Sequence, residues 1–211
     1  MNNRIAEPDS TLVLPVSERC IRTIRAGTFL QLTGTIYTAR DAVHRYLAAG
    51  HKPPCNLEGA FIYHCGPIAV KRKDTWDITA AGPTTSMREE QYMPALIKQY
   101  GIRGIIGKGG MGKETLDACQ TVGCIYCHAV GGAAQVLANH ITSVQNVYLD
   151  KEFGLPEAVW ELNVASLPVI VTMDSNGANL HQTVETRSEK VLKSLLKQQA
   201  SHTSSPYRET G

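Results

Sequence analysis

The chain has 211 residues, 43% of them hydrophobic and 19% charged, which is enough apolar content for one sizeable core. With 21 basic against 19 acidic residues and a formal charge of +2, there is no electrostatic basis for binding nucleic acid or an anionic membrane surface. No apolar run reaches the ~18 residues of a membrane span, the N-terminal MNNRIAEPDS lacks the basic-then-apolar order of a secretory signal, and six cysteines without such a signal fit reduced thiols. A soluble cytoplasmic protein is expected.

In chain order, Gly27 to Ala39 (GTFLQLTGTIYTA) is rich in β-branched and apolar residues and predicts one or two strands. Arg40 to Ala49 has helical spacing and stops at Gly50. Ala60 to Cys65 and Trp76 to Ala81 are short strand-like runs, and Met87 to Tyr100 predicts an amphipathic helix ending at Gly101. Arg103 to Ile106 reads as a short buried strand leading into a glycine-rich stretch. A helix from about Lys113, a strand over Gly123 to Val130 and a helix over Ala133 to Asn139 follow. Val144 to Leu149, Val159 to Val164 and Val169 to Met173 predict three further strands, and Val184 to Gln199 a charged amphipathic helix. Alternating strands and helices from residue 76 to about 150 imply an α/β fold with a partly parallel sheet. No linker divides the chain, so a single domain over residues 1–202 is expected, with a disordered polar tail over 203–211.

The stretch GKGGMGKET, Gly107 to Thr115, satisfies two phosphate-binding patterns at once, G-x-x-x-x-G-K and G-x-G-x-x-G. A P-loop needs a hydroxyl directly after the lysine to ligate magnesium, but Glu114 stands there and Thr115 comes one residue late. A dinucleotide fold needs an acidic residue about 20 positions on, yet no Asp or Glu lies between Asp117 and Asp150. What survives is a strand tip carrying Lys108 and backbone N–H groups, suited either to a small anion or to a plain tight turn.

Two other junctions share this logic. In GPTTSMRE, Gly82 to Glu89, the hydroxyls of Thr84, Thr85 and Ser86 are candidate caps, and Arg88 lies in the first helical turn. In TARDAVH, Thr38 to His44, Arg40 and His44 are four apart on one helix face, with Arg40 read as an unpaired arginine. Each has an ordinary structural reading as well, an N-cap with a surface arginine or a buried helix histidine. Three cationic junctions together suit a substrate with two carboxylates.

TARDAVH, GPTTSMR and GKGGMGKET, followed by GGAAQVLA, FGLPEAVWEL and PVIVTMDSNGANL, resemble the β subunit of the iron–sulfur class I hydro-lyases, which include class I fumarase and L(+)-tartrate dehydratase. The resemblance runs in order from about Gly27 to Leu180. It implies a swivelling β/β/α domain with mixed sheets and flanking helices, equivalent to the C-terminal domain of single-chain class I fumarases. It also implies reversible hydration or dehydration of a four-carbon dicarboxylate at a [4Fe–4S] cluster. That cluster is held by a partner α subunit, in a heterotetramer, and one iron acts as a Lewis acid. Carried over by motif, Arg40, Arg88 and Lys108 bind carboxylates, and Ser86, in the same turn as Thr84, is a further substrate-binding residue. Thr84 occupies the place of a substrate-contacting hydroxyl linked to proton transfer, and His44 is either an acid–base or an orienting partner of Arg40. No metal ligand is assigned to this chain.

One feature departs from that pattern. Cys119, Cys124 and Cys127 have C-x₄-C-x₂-C spacing, as in plant-type ferredoxins. A cluster would need a wrapping loop and a fourth downstream cysteine. Here Cys119 falls in a predicted helix, Cys124 and Cys127 fall on opposite faces of a predicted strand, and no cysteine follows. Core thiols are expected. An iron–sulfur electron carrier, and a nucleotide-binding protein using Gly107 to Lys113, are the competing readings.

Overall fold

A computed structural model describes residues 10–73 and 75–203, with side chains described as far as residue 197. Residues 204–211 of the expected tail lie outside the described residues, while Thr203 ends a helix. Two compact units divide at Asn179 and Leu180.

Among its described residues the first unit contains nine strands and six α-helices. In chain order these are β1 Ser10–Val13, α1 Glu18–Ile21, β2 Phe29–Thr38, α2 Asp41–Ala48, β3 Phe61–Tyr63, β4 Ile68–Arg72, β5 Thr75–Ala80, α3 Met93–Tyr100, β6 Gly104–Gly107, α4 Lys113–Val122, β7 Ile125–His128, α5 Ala134–Ala138, β8 Ile141–Tyr148, α6 Asp150–Phe153 and β9 Val159–Met173. The second unit is the helix α7, Leu180–Thr203, on which Val184, Val191, Leu192, Leu195 and Leu196 are exposed.

Strands β2, β3, β6 and β7 run parallel to one another; β6 and β7 fall where the strand–helix alternation implies a parallel sheet. Antiparallel β9 pairs with β7 on one side and with β2 on the other, which closes a five-stranded barrel-like sheet. β1 extends the sheet beside β2 and β8 beside β9, while β4 and β5 form a separate hairpin.

Because side chains alternate across a strand, the barrel strands feed two cores. Phe61, Tyr63, Ile106, Ile125, Cys127, Trp160 and Leu162 share the first with Leu30, Leu32 and Ile36 of β2. Ile62, Ile105 and Tyr126 face the second, which they share with Val43 and Leu47 of α2, Leu96 and Ile97 of α3, and Leu116 and Cys119 of α4. The fold is thus mixed α/β with two sheets and flanking helices.

Several boundaries differ from the sequence reading. The two strands expected over 159–173 are one 15-residue strand, bent where Ser166 takes φ 53°. The helix expected from Met87 begins only at Met93, after a 3₁₀ turn over Ser86–Glu89. Pro94 explains the delay, since it lacks an N–H and its ring fits only the first turn of a helix. β1 and β4 were not anticipated, and β4 (IAVKR) is almost wholly exposed, with no buried face to signal it.

Gly104 is required by contact rather than by backbone angle, because a Cβ there would fall 2.2–2.5 Å from the ring of Phe61. Gly104→Ala is therefore expected to cost about 1–3 kcal/mol through overpacking, measured by urea unfolding. An unchanged midpoint would contradict this packing.

Candidate active site

The parallel strands end together. Thr38 of β2 is level with Tyr63 of β3, Tyr63 with Ile106 of β6, and Gly107 with His128 of β7. The segments just beyond, which hold Arg40, His64, Lys108 and the Gly131–Gly132 pair, emerge at one edge. In α/β sheets the carboxyl ends of the strands are where ligands bind.

The turn 82–89 is tied into this edge. Thr84 N–H and Oγ1 both donate to the His64 carbonyl, at 2.7 and 3.0 Å. Thr84 and Ser86 bracket Lys108 in a parallel bridge, Lys108 N–H donating to Thr84 O and Ser86 N–H to Lys108 O. Arg88 reaches α2 through Asp41, its Nη2 lying 2.6 Å from Oδ2, and His44 Nδ1 lies 2.7 Å from Glu89 Oε2. All six residues singled out from the sequence, Arg40, His44, Thr84, Ser86, Arg88 and Lys108, therefore belong to one connected assembly.

The structure corrects three local expectations. Arg40 is not unpaired: its Nη1 pairs with Glu157 Oε1 at 3.1 Å and donates to the Pro156 carbonyl, although its buried Nε has no partner. It stands at the N-cap of α2 with extended backbone, so its side chain leaves toward Glu157, whereas that of His44 turns to Glu89. Nor do the hydroxyls of Thr84, Thr85 or Ser86 cap the following turn. Ser86 Oγ instead accepts from Tyr126 O–H at 2.9 Å and bonds His64 Nδ1 at 2.9 Å. Gly107 makes room for it, since a Cβ there would lie 1.9 Å from Ser86 Oγ. Burial, reinforced by His44 alongside, pushes the pKa of His64 well below the usual imidazole range. Lys108 is half-buried, and its ammonium makes no hydrogen bond or ion pair among the described residues.

The glycine-rich stretch does bind an anion, and the anion is internal. Glu90 places its carboxylate on the N-terminus of α4, accepting from Gly112 N–H at 2.7 Å, Thr115 N–H at 3.1 Å and Thr115 Oγ1 at 2.6 Å. A Cβ on Gly112 would lie 2.6 Å from Glu90 Oε1. The donors that a phosphate would use are occupied, and Lys113 is exposed beside Asp117 at 2.6 Å. This geometry leaves no cradle for a nucleotide.

Residues 7–184 match the family described as Fumarase C-terminus. The chain belongs to this family. It is 48% identical over 179 residues to a Geobacillus stearothermophilus protein provisionally named a class I fumarate hydratase, an alignment covering 84% of this chain and 34% of that protein. It thus spans about a third of that relative's length. It is 40% identical to a Methanocaldococcus jannaschii protein provisionally named L(+)-tartrate dehydratase subunit beta, over 86% of this chain and 95% of that one. With the Escherichia coli K12 L(+)-tartrate dehydratase subunit beta it shares 37% identity, over 80% and 85% of the two chains.

Fumarases of class I depend on iron–sulfur chemistry, so the cysteines of this family member bear on the site. Cys119 and Cys124 lie in the core shared with the helices and Cys127 in the core on the other side of β7. A hydrogen bond with Cys124 and burial raise the Cys119 thiol well above its usual pKa, and burial does the same to Cys127. All three sulfurs are buried and they divide between the two cores, so they do not converge on one point as the ligands of a cluster must. Among the described residues no group of three or more His, Cys, Asp or Glu side chains could hold a metal. The described side chains of this fumarase-family domain do not fit an iron–sulfur cluster.

Sequence reasoning missed Glu89, Glu90, His64, Tyr126 and Glu157. The acidic pair after Arg88 was a usable signal, because carboxylates favour helix N-termini, but its target lay 22 residues on, across the fold. Nothing local marks His64 or Tyr126.

Removing three hydrogen bonds to a carboxylate should be costly. Glu90→Ala is expected to lose about 1.5–3 kcal/mol of stability, and Lys113→Met less than about 0.5 kcal/mol, by urea unfolding. Titration with ATP and magnesium should give no binding heat. Equal effects of the two substitutions, or saturable nucleotide binding, would contradict the internal-anion assignment.

Proposed function

We propose that the chain is the β subunit of a class I fumarase-type hydro-lyase, acting on a four-carbon dicarboxylate. The reaction is the interconversion of fumarate and malate or the dehydration of L-tartrate to oxaloacetate. In this reading the [4Fe–4S] cluster belongs to an α subunit, the assembly is a heterotetramer, and the compartment is the cytoplasm. Its six cysteines are all free thiols, as suits a reducing compartment.

The observation that carries the proposal is the state of the three cations at one sheet edge. Arg40 and Arg88 are held in place by Glu157 and Asp41, while Lys108 projects from the same assembly without a counter-ion among the described residues. A guanidinium has five N–H donors, so an arginine already paired to one carboxylate keeps others for a second. Arg88 commits Nη2 to Asp41, and Arg40 commits Nη1 to Glu157 and the Pro156 carbonyl. Two carboxylates of a small substrate can thus be shared between prepositioned guanidinium forks and a point charge. Thr84 Oγ1 donates to the His64 carbonyl and keeps its lone pairs for the substrate side. His44 is tied to this turn through Glu89, 2.7 Å from its Nδ1.

The kinetic test uses the complex reconstituted with the α subunit. Lys108→Met is expected to lower kcat/KM about 10- to 150-fold, the equivalent of roughly 1.5–3 kcal/mol for one charge-assisted contact. Arg88→Lys should cost a similar factor, since an ammonium cannot reproduce the planar fork. Lys113→Met should retain most activity, and the chain alone should show none. Turnover by the isolated chain, or a greater loss from Lys113 than from Lys108, would overturn the proposal.

The placement of the cluster has its own test. Cys124→Ser and Cys127→Ser should leave the iron content of the complex unchanged, and loss of iron with folding intact would put the cluster on this chain.

A further inference from the structure

Behind the cationic edge lies a set of polar side chains that carboxylate binding does not use. His44 and Glu89 are 2% and 0% exposed, with Nδ1 and Oε2 2.7 Å apart. The ring of His64 meets that of His44 edge-on, with centroids 5.1 Å apart and planes at 75°. His64 Nδ1 is occupied by Ser86 Oγ, which also accepts the Tyr126 hydroxyl. Three buried atoms have no partner: His44 Nε2, His64 Nε2 and Glu89 Oε1.

The placement of hydrogens follows from charge and geometry. The short Nδ1–Oε2 contact needs one hydrogen between the two atoms, otherwise lone pair would face lone pair. With that hydrogen alone the pair would carry a net negative charge, shut away from water. The cations nearby do not offset it, since Arg88 is exposed and paired with Asp41, and Arg40 is paired with Glu157. A buried uncompensated charge is costly, so the pair keeps a second hydrogen. Either placement leaves a hydrogen without a partner, on Oε1 or on Nε2, but placing it on Glu89 Oε1 also gives up the charge-assisted bond. Placing it on His44 Nε2 preserves the strong contact. The shared hydrogen then sits nearer nitrogen or nearer oxygen, and the pair is neutral overall in both arrangements.

We propose that Glu89 is a positioning residue for His44, and that this buried pair keeps a hydrogen on His44 Nε2, making that nitrogen a donor and not a base. Ser86, receiving the Tyr126 hydrogen, is free to donate its own to His64 Nδ1, so His64 stays neutral beside the pair. The titratable groups set against His44 are Glu89 from the 3₁₀ turn and His64 from the end of β3. The catalytic consequence, a fixed N–H in place of a proton acceptor, rests on the hydratase reading; the proton count does not.

The test is nitrogen-15 NMR of the histidine-labelled full chain near neutral pH, with His44 assigned by the resonances lost in His44→Gln. The expected result is a hydrogen on Nε2 and a strongly deshielded hydrogen shared between Nδ1 and Glu89. Glu89→Gln should abolish that shared resonance and shift both ring nitrogens, while Glu89→Asp should retain it. A bare lone pair at Nε2 in the unaltered chain, or ring nitrogens unmoved by Glu89→Gln, would overturn the proposal. If Glu89→Gln fails to fold, the unaltered chain and Glu89→Asp still decide. A complex that proves to lack hydratase activity would remove the hydratase reading and leave these resonances as expected.

Discussion

The antiparallel ladder between β2 and β9 is the constraint on which the rest depends. It pairs residues from Phe29 with Ile170 to Tyr37 with Glu161, nearly the full length of β2. Without it the parallel strands would form an open sheet with exposed edges, which proteins must otherwise cover or blunt. Closure buries one continuous apolar interior, and it also brings the chain entering β9 against the chain leaving β2. Thr38 Oγ1 donates to Ala158 O and accepts from Trp160 N–H, both within this crossing. One step further on, Glu157 grips Arg40 and accepts from Ala42 N–H at the start of α2. The first cation of the edge is therefore placed by barrel closure itself.

Glutamates do much of the remaining placement. Glu157 fixes the start of α2, Glu90 the start of α4, and Glu89 joins the 3₁₀ turn to α2 through His44. Helix N-termini with free N–H groups attract anions, and at α2 and α4 internal carboxylates fill that role. Lys108 emerges at the same edge, half-buried and with no carboxylate on its ammonium among the described residues. A family member with so many glycines around that lysine resembles a phosphate-binding protein in sequence because the backbone solves a similar problem. The anion it was shaped around belongs to the chain.

Local pattern made much of this legible. The start of α4, the parallel pairing of β6 with β7 and the stop at Gly101 follow from periodicity and glycine placement. The motifs that meet at the strand ends were legible too, because each combines a strand tip with a hydroxyl or a cation. Pairing across the fold was not. Arg40 looked unpaired because Glu157 lies 117 residues away, and Glu89 had no evident partner because His44 lies 45 residues upstream. Continuity of β9 through Ser166 was hidden because a polar residue at positive φ looks like a loop. These are tertiary facts, and no window of neighbouring residues contains them.

The central claim is that the carboxyl edge of the barrel, with Lys108 at its centre, receives a dicarboxylate while Glu90 keeps the glycine-rich loop closed. A crystal structure of the chain with its α subunit and an unreactive four-carbon dicarboxylate tests it most directly. The expected result is one carboxylate within hydrogen-bond reach of Lys108 Nζ, the other on Arg40 or Arg88, and Glu90 still bonded to Gly112 and Thr115. A ligand seated on the N-terminus of α4 with Glu90 displaced, or bound away from all three cations, would contradict the account.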